Sequence, residues 1–372
     1  MLLLPTESEA MVADSARRLF AGYPIEARRK QWHGEWLSDT YGQLAEAGML
    51  QLADIPAGDN EALEYLLRFS LELGRSVIVV PFLTSAVAAS YCLQESGRSE
   101  EAAALREGSA IEAMALGEAK GSLKGTLDPD TIFEGSRLRG TKSAVSFAKQ
   151  ATHLLISAKN AQGSPHLVRI RTDQDGVELT PLDTVAGEPL YEVALDCSVA
   201  VEDILVSGEQ YDAVLREMLA RVFMVQSAIL VGGAEWALEI ATAHVIERHQ
   251  FGQPLGAFQS VQHHIANSRT HLDAARLMTF ETGWRYASGN DAILAWAAET
   301  KAWVASKTGE LLRRAHELQG GISVTDEHET MLLLRRNLAE TVQWGAGSDL
   351  LALAYPLRSV PPTVQPLFEK LG

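Results

Sequence analysis

The first hundred residues carry apolar side chains at helical spacing. Val12, Ala16 and Leu19 recur at intervals of three and four, and a second run of this kind spans residues 63–71. Such spacing places the apolar side chains on one face of a helix and the polar ones on the opposite face. Because no β-rich run interrupts the pattern, we predict an N-terminal helical domain over residues 1–109.

The pattern changes in the next hundred residues, where short apolar runs alternate with turn-forming residues. Three such runs lie at residues 153–158, 166–170 and 191–195, and Gly, Asp, Pro and Asn separate them. Short apolar runs bounded by these residues are typical of β-strands. We therefore predict a small β domain over residues 110–206.

A helical period returns in the last part of the chain, where Phe258, Ile265 and Leu272 fall on one stripe. Short glycine-containing segments interrupt it at residues 252–256, 289–290 and 320–321. Short loops between long helices are typical of antiparallel bundles. The order of elements therefore predicts an α+β fold that ends in a C-terminal helical bundle domain over residues 207–372.

Composition and charge exclude several classes of protein. Hydrophobic residues make up 47% of the 372 residues, which excludes wholesale disorder. The chain carries 48 Asp and Glu against 32 Lys and Arg, a net charge of −16, whereas nucleic-acid binders need a basic surface. Cys92 and Cys197 are too few for a disulfide framework, and no apolar run reaches the length of about 18 residues that predicts a membrane span. We therefore expect a cytoplasmic protein with no nucleic-acid or membrane partner.

Two motifs look like functional sites but have simpler structural explanations. Residues 135–143 nearly match a phosphate-binding loop, but Thr141 separates the second glycine from Lys142 and no helical pattern follows. A turn between strands is the better interpretation. His263 and His264 are adjacent, but a metal site needs three or four converging ligands, and nothing in the sequence supplies the rest. We therefore predict no metal site.

A segment between two predicted helices is more informative. It contains Arg248, Phe251, Gly252 and Gln259, in the order Glu-Arg-x-x-Phe-Gly with the glutamine seven residues after the glycine. Alone, the segment fits an ordinary hairpin corner, because an arginine near a helix C-terminus is electrostatically favourable in any protein. A second loop, at residues 317–323, carries paired glycines that let a backbone approach a ligand, often a phosphate.

Together, these two segments resemble those of the acyl-CoA dehydrogenase family, flavoproteins with an N-terminal helical domain, a middle β domain and a C-terminal four-helix bundle. The resemblance implies that Arg248, Phe251 and Gln259 contact the diphosphate and adenosine end of an FAD held by a neighbouring subunit. It also implies that the backbone at Gly320 and Gly321 approaches the same cofactor. A guanidinium and free amides suit a diphosphate chemically.

The positions of the family's catalytic base differ in this chain. In family members a carboxylate removes the α proton of the acyl thioester while the β hydride passes to flavin N5. By the resemblance, that carboxylate belongs at one of two positions, occupied here by Gly345 and Val222, and neither side chain takes up a proton. Glu217 lies five residues before Val222 and Glu235 thirteen after it, so each replaces the base only if the helix is shifted. The base stays unassigned, with Glu217 as the candidate.

Other positions of the resemblance have also changed. The family's glutamine at the start of the Gly-Gly loop is Glu317 here, which directs negative charge toward a diphosphate unless the side chain turns away. The Trp-Ile-Thr stretch that covers the flavin ring reads Ala144, Val145 and Ser146, so Ser146 remains to offer a hydroxyl or backbone contact to flavin N5. The usual Thr-Glu-Pro loop reads Leu-Gly-Glu at residues 116–118.

These matches and losses predict a subunit of a heteromeric enzyme. The half of the FAD site that faces a neighbouring subunit is retained, whereas the base and the flavin cover are lost. Some family members that dehydrogenate steroid side-chain CoA thioesters are organised as α2β2 assemblies in which one kind of subunit supplies the base. This chain resembles the other kind of subunit. We therefore predict an acyl-CoA substrate, a second acyl-CoA dehydrogenase-like subunit and an electron-transfer flavoprotein as acceptor.

Three alternatives stay open. A homotetrameric dehydrogenase would use a non-standard base such as Glu217, and a flavin-free scaffold or acyl-CoA binding subunit would need no base. A flavin monooxygenase of the same fold would also need none, although the retained segment from Arg248 to Gln259 favours it less. The sequence carries no readable code for the acyl group itself.

Overall fold

The computed structural model describes residues 5–23, 25–32, 35–36, 38–325 and 328–358. The chain forms two compact units, each built from several stretches of sequence. The bundle unit comprises Met1–His33, Ala57–Ile78 and Phe223–Leu351, and the sheet unit comprises Gly34–Pro56, Val79–Val222 and Ala352–Gly372. The division into three domains, at residues 109 and 206, stays a prediction.

The N-terminal part of the chain is helical, as predicted. Helix α1 (Glu7–Ala21) begins with a reciprocal cap, in which the Glu9 amide donates to the Thr6 hydroxyl and the Thr6 amide donates to the Glu9 carboxylate, both at 3.2 Å. The further helices are α2 (Ile25–Trp32), α3 (Ser38–Glu46), α4 (Asn60–Ser76), α5 (Ser90–Glu95) and α6 (Ser99–Arg106). A 3₁₀ turn at Met49–Ala53 and a π-helical segment at Phe82–Ala89 complete this part.

The sheet unit contains the strands of the predicted β region. In chain order they are β1 (Glu112–Ala115), β2 (Ile132–Glu134), β3 (Arg137–Ser146), β4 (His153–Lys159), β5 (Pro165–Arg171), β6 (Val177–Leu182), β7 (Leu190–Ser198) and β8 (Ile204–Ser207). The sheet has the order β6-β7-β3-β2-β4-β5-β8, and β1 pairs in parallel with β4. A short helix, α7 (Ser122–Leu127), lies between β1 and β2 in the sequence. The three predicted runs fall within β4, β5 and β7, so these strand predictions are confirmed.

The segment that resembles a phosphate-binding loop contains the predicted turn between strands at residues 135–136, and residues 137–143 belong to β3. Gly135, with φ 63°, turns the chain from β2 into β3, and Phe133 pairs with Leu138 across the antiparallel hairpin. Leu138 also joins the sheet's buried apolar cluster together with Leu154 and Val193. The alternation of buried and exposed positions along β3 and β7 fixes this face of the sheet.

Long helices form the C-terminal part of the chain. They are α8 (Gly208–Glu247), α9 (Gln259–Ala287), α10 (Ile293–Gln319), α11 (Glu329–Val342) and α12 (Gly347–Arg358). Within the bundle unit, α10 packs against both α9 and α11. The glycine-containing segments at 252–256 and 320–321 lie between these helices, as predicted.

Helix α4 crosses α8 at a glycine-to-backbone contact in the bundle unit. A Cβ atom on Gly74 would lie 2.0 Å from the carbonyl oxygen of Ile229, and one on Gly232 would lie 1.9 Å from that of Leu71. Any side chain at either position would collide with main-chain atoms of the other helix, so the close crossing requires glycine on both helices.

Helices and a sheet thus share one chain, and the α+β prediction is confirmed. No helix in the described ranges is long and apolar enough to cross a membrane.

Candidate functional site

A tight hairpin joins α8 to α9 and carries the predicted cofactor residues. The two-residue strands β9 (His249–Gln250) and β10 (Gln253–Pro254) pair in antiparallel fashion. Phe251 and Gly252 form the turn between them, with φ angles of 54° and 83°. Positive φ at both central residues marks a type I′ turn. Glycine adopts this conformation freely, whereas for a bulky aromatic residue it is an outlier.

Phe251 projects from the tip of this hairpin into solvent. Its side chain is 91% exposed, and its ring meets the ring of Phe258 edge-on, with centroids 6.1 Å apart. Strained backbone and an exposed aromatic ring coincide here at one residue. Strained residues of this kind cluster at ligand clamps and switch regions, which makes the hairpin tip a candidate contact surface.

Arg248 lies at the base of the hairpin, where α8 ends. Its amide donates to the His244 carbonyl and its carbonyl accepts from the Leu255 amide, each at 2.8 Å, so its backbone is fixed while its side chain is exposed. Within the described ranges, no carboxylate lies at ion-pair distance from its guanidinium. The charge is therefore available to an anionic ligand.

Gln259 is the first residue of α9 and is also exposed. The residue before it, Phe258, has no polar side chain with which to cap the first amides of the helix. A helix N-terminus attracts anions through these amides and the helix dipole. Arg248, Phe251 and Gln259 thus lie at the base of the hairpin, at its tip and at the helix start that follows it, and their chemistry suits a phosphate group next to an aromatic or apolar surface.

The second predicted element is the glycine turn after α10. Gly320 has φ 67° and ψ −145°, a conformation that favours glycine. Around a Cβ built on Gly320 or Gly321, no heavy atom of the described part of the chain lies within 4 Å. The buried Ser323 hydroxyl holds the turn from inside, at 2.7 Å from the Gly320 carbonyl. The outer side of the turn therefore stays open to the close approach of a ligand.

Glu317 does not leave an uncompensated charge beside this turn. Arg314 Nη1 lies 2.6 Å from its carboxylate, and the carboxylate side chain is 61% exposed. The pair reduces the repulsion that the sequence predicts for a bound diphosphate. No hydrogen bond or ion pair within the described ranges joins the glycine turn to the hairpin, although both lie in the bundle unit.

Ser146 lies in the sheet unit, at the end of β3, and is 4% exposed. The strand is irregular here: the register with β7 shifts between Lys142 and Val145, and Ala144 and Phe147 have φ angles of 53° and 59°. Backbone strain on both sides of Ser146 fits a functional strand end. The side chain itself is buried, so the predicted flavin contact from Ser146 stays a prediction.

The loop that replaces the family's Thr-Glu-Pro stretch is anchored by a buried ion pair. Glu118 Oε1 accepts from Lys142 Nζ at 2.6 Å and from the Thr131 hydroxyl at 2.8 Å. Burial lowers the pKa of Lys142 to about 8, although the attraction of Glu118 raises it. The lysine of the phosphate-loop-like segment therefore holds protein structure and is not directed at a ligand.

The two positions implied for a catalytic base are both buried and carry no group that accepts a proton. Val222 is fully buried in α8. Gly345 is buried in the turn between α11 and α12, and its φ of 124° is a conformation that L-residues rarely adopt. Even a glutamate at position 345 would therefore strain this backbone.

Each of the two nearby carboxylates lies within ion-pair distance of at least one arginine. Glu217 lies 3.8 Å from Arg221, four residues further along α8. Glu235 pairs with Arg75 at 3.3 Å and with Arg276 at 3.1 Å. Their contacts assign both carboxylates to ion pairs, and Glu217 as a base stays a prediction.

Sequence reasoning missed two residues around these sites. Phe258, which supports Phe251, carries a readable signal, because it directly precedes the first helical residue after the turn. Lys301, which contacts the turn containing Gly345, carries a weaker one, a lysine among the buried alanines of α10. Among the described residues, no group of three or more His, Cys, Asp or Glu side chains forms a metal-binding cluster.

Comparisons with known proteins agree with this architecture. The family model described as "Acyl-CoA dehydrogenase, C-terminal domain" matches residues 213–352. The chain is 29% identical over 276 residues to the acyl-CoA dehydrogenase FadE28 of Mycobacterium tuberculosis, which covers 72% of this chain and 76% of that protein.

Solved structures share the fold over nearly the whole chain. The steroid ACAD Tcur3481-Tcur3483 is 26% identical, with a TM-score of 0.84 over 95% of this chain and 98% of that one. A glutaryl-CoA dehydrogenase from Mycobacterium smegmatis in complex with FADH2 is 16% identical, with a TM-score of 0.85 over 98% of this chain and 97% of that one. At this lower identity the likeness shows the fold alone.

Proposed function

Because this chain belongs to the acyl-CoA dehydrogenase family, we propose that it is a subunit of an FAD-dependent acyl-CoA dehydrogenase and completes the flavin site of a partner subunit. The observation that carries the proposal is a contrast within the chain. The hairpin of Arg248, Phe251 and Gln259 is exposed and chemically suited to the cofactor. Gly345 and Val222, at the implied base positions, have no group that accepts a proton.

The residues of the hairpin fit the diphosphate of FAD. Arg248 offers a guanidinium without a carboxylate partner in the described ranges, and the N-terminus of α9 at Gln259 offers amides. A guanidinium binds two phosphate oxygens in its planar fork, and Phe251 offers an aromatic face beside it. FAD, when bound, supplies the acceptor for the hydride that leaves the β-carbon of the acyl group.

Proton abstraction from the α-carbon falls to the partner subunit in this proposal. The carboxylates near the implied base positions, Glu217 and Glu235, already lie at ion-pair distance from arginines. This chain would therefore contribute cofactor binding and the framework of the site, and the partner would contribute the base.

The partner and substrate follow from the same reasoning. One structural relative, the steroid ACAD Tcur3481-Tcur3483, is named for two proteins and for a steroid substrate class. This supports an α2β2 assembly that acts on an acyl-CoA thioester with a bulky, steroid-like acyl group. We infer an electron-transfer flavoprotein as the acceptor, on the resemblance alone.

Replacing Arg248 with alanine tests the proposed role of the hairpin. The variant chain is co-expressed with an acyl-CoA dehydrogenase-like chain encoded beside its gene, and the FAD content of the purified complex is measured by absorbance. We expect less FAD per complex, with an unchanged far-UV circular dichroism spectrum, because the diphosphate loses its cationic partner.

Arg269→Ala is the matched control. Arg269 is an exposed arginine on α9 that pairs with Asp273 at 2.8 Å, and its removal should leave the FAD content unchanged. An FAD content equal to wild type in Arg248→Ala, or an equal loss in both variants, would count against the assigned role.

A further inference from the structure

Lys301 is buried completely in the bundle unit. Its side chain has no exposed surface, and it lies on α10 between the buried residues Thr300 and Ala302. A lysine is almost never fully buried unless its ammonium group has partners. The contacts of this ammonium group therefore indicate why the residue is inside.

The Lys301 ammonium group binds the backbone of the turn between α11 and α12. Nζ donates to the carbonyl oxygen of Gln343, and also to that of Gly345 at 3.1 Å. The ring of Phe223, on α8, lies below it, with its centroid 5.4 Å from Nζ, within the range of a cation–π contact. One side chain thus joins α10 to both ends of a three-residue turn.

This turn has an unusual backbone. Trp344 has φ 62° and Gly345 has φ 124°. Positive φ is an outlier for a bulky residue such as Trp344, and a φ of 124° at position 345 is a conformation that glycine adopts freely and other residues rarely adopt. Such a conformation persists only where surrounding contacts determine it, and the paired carbonyl contacts of Lys301 are of this kind.

Other charged and polar groups around Lys301 come from the helices packed against it. Glu340, on α11, is 1% exposed, pairs with Arg336 on the same helix, and accepts from Gln226 Nε2 on α8 at 2.6 Å. Burial lowers the pKa of Lys301 to about 7, while the attraction of Glu340 raises it. Its charge therefore changes in a range of pH that experiments reach easily.

We propose that Lys301 is the positioning residue of the Gln343–Gly345 turn, which it holds in a conformation that favours glycine at position 345. A buried lysine on a neighbouring helix thus fixes the backbone at one of the two positions implied for the base, and the packing of the bundle favours glycine there. The catalytic meaning of this turn rests on the proposed function. The role of Lys301 in the conformation of the turn does not depend on that function, and it can be measured without flavin or acyl-CoA.

The test uses Trp344 as a reporter inside the turn. The full chain is labelled with 5-fluorotryptophan, and ¹⁹F NMR resolves its seven tryptophans, with Trp344 assigned by the signal lost in Trp344→Phe. We expect Lys301→Met to shift the Trp344 signal by more than its linewidth and to leave most of the others in place.

Lys307→Met is the control, because Lys307 lies on the same helix but pairs with Glu310 at 3.2 Å. It should leave the Trp344 signal unmoved. An unmoved Trp344 signal in Lys301→Met, or an equal shift in both variants, would overturn the proposal.

A pH titration of the wild-type chain keeps the proposal testable even if Lys301→Met fails to fold. The Trp344 signal should follow one ionisation with a midpoint well below the value of an exposed lysine, while the far-UV spectrum stays constant. A Trp344 signal that does not respond between about pH 6 and about pH 10 would overturn the inference. A loss of FAD binding by the complex would bear on the proposed function and not on this result.

Discussion

Replacing Lys301 with methionine measures the electrostatic cost of burying its ammonium group. Burial lowers the pKa of Lys301 from 10.5 to about 7 in the folded chain. Each unit of pKa corresponds to about 1.4 kcal/mol, so at low pH the charged lysine destabilises the fold by about 5 kcal/mol relative to its neutral form. Methionine has a similar length and no charge, so the variant loses this pH-dependent contribution.

The direction of the effect follows from counting protons. Between about pH 7 and pH 10.5, the unfolded chain keeps a proton on Lys301 that the folded chain has released. Because the unfolded state binds more protons in this range, the free energy of unfolding rises with pH. The stability of wild type relative to Lys301→Met should therefore increase from about pH 7, with most of the change complete by about pH 10.

Urea unfolding followed by far-UV circular dichroism gives the stability difference at each pH. The free energy of unfolding of wild type minus that of Lys301→Met is plotted against pH, and Lys307→Met serves as a control that should give a flat line over the same range. A flat difference for Lys301→Met, or one that falls as pH rises, would refute the assignment of a buried, titrating lysine.

Two further predictions concern glycines. Gly74→Ala should lower the free energy of unfolding by about 3 kcal/mol or more, because the new methyl group meets a main-chain carbonyl of α8 at 2.0 Å. The control, Gly42→Ala, meets no described atom within 4 Å and should not lower the free energy of unfolding; equal losses in urea unfolding would contradict the helix crossing. Gly345→Glu should give no acyl-CoA-dependent dye reduction in the isolated chain, since a φ of 124° resists any side chain there. Robust turnover from that single change would show that the backbone adapts.

The sequence predicted the elements of this fold well where a periodic pattern decides them. The strands at 153–158, 166–170 and 191–195 lie where the apolar runs and turn residues place them, because one buried face of a sheet leaves a direct trace in the chain. The helices of the C-terminal region follow their apolar stripe for the same reason. The segment at Phe82–Ala89 lies in the predicted helical region, but its π-helical form was not predicted, since all eight of its residues are buried and a uniformly buried run carries no period.

The candidate site was predictable in residue type but not in conformation. The family resemblance, and not the spacing alone, implied a cofactor role for Arg248, Phe251 and Gln259, and that role stays a prediction; the structure shows that all three are exposed, between the end of α8 and the first residue of α9. The positive φ of Phe251 was not readable, because aromatic residues rarely adopt it and only the hairpin geometry imposes it. Ser146 was expected as a contact for flavin, yet its burial depends on the pairing of β3 with β7, which is set by residues far away in the chain.

Buried charges were the hardest features to predict. Lys301 and Lys142 are both fully buried, although lysine is among the residues most often found in solvent. Each is inside because partners from other elements bind its ammonium group, namely the carbonyls of the Gln343–Gly345 turn for Lys301 and Glu118 for Lys142. Such partnerships exist only after packing, so local sequence does not reveal them.

The flavin content and native mass of the chain, expressed alone and then with an acyl-CoA dehydrogenase-like chain encoded beside it, test the central claim most directly. We predict no stable flavin on the chain alone, and one FAD per pair of unlike chains in the co-expressed complex, because Arg248 and its hairpin complete a site whose base comes from the partner. One FAD per chain in a homotetramer would contradict this account and would return attention to Glu217 as a base. A complex without flavin would contradict it as well, and would indicate a scaffold.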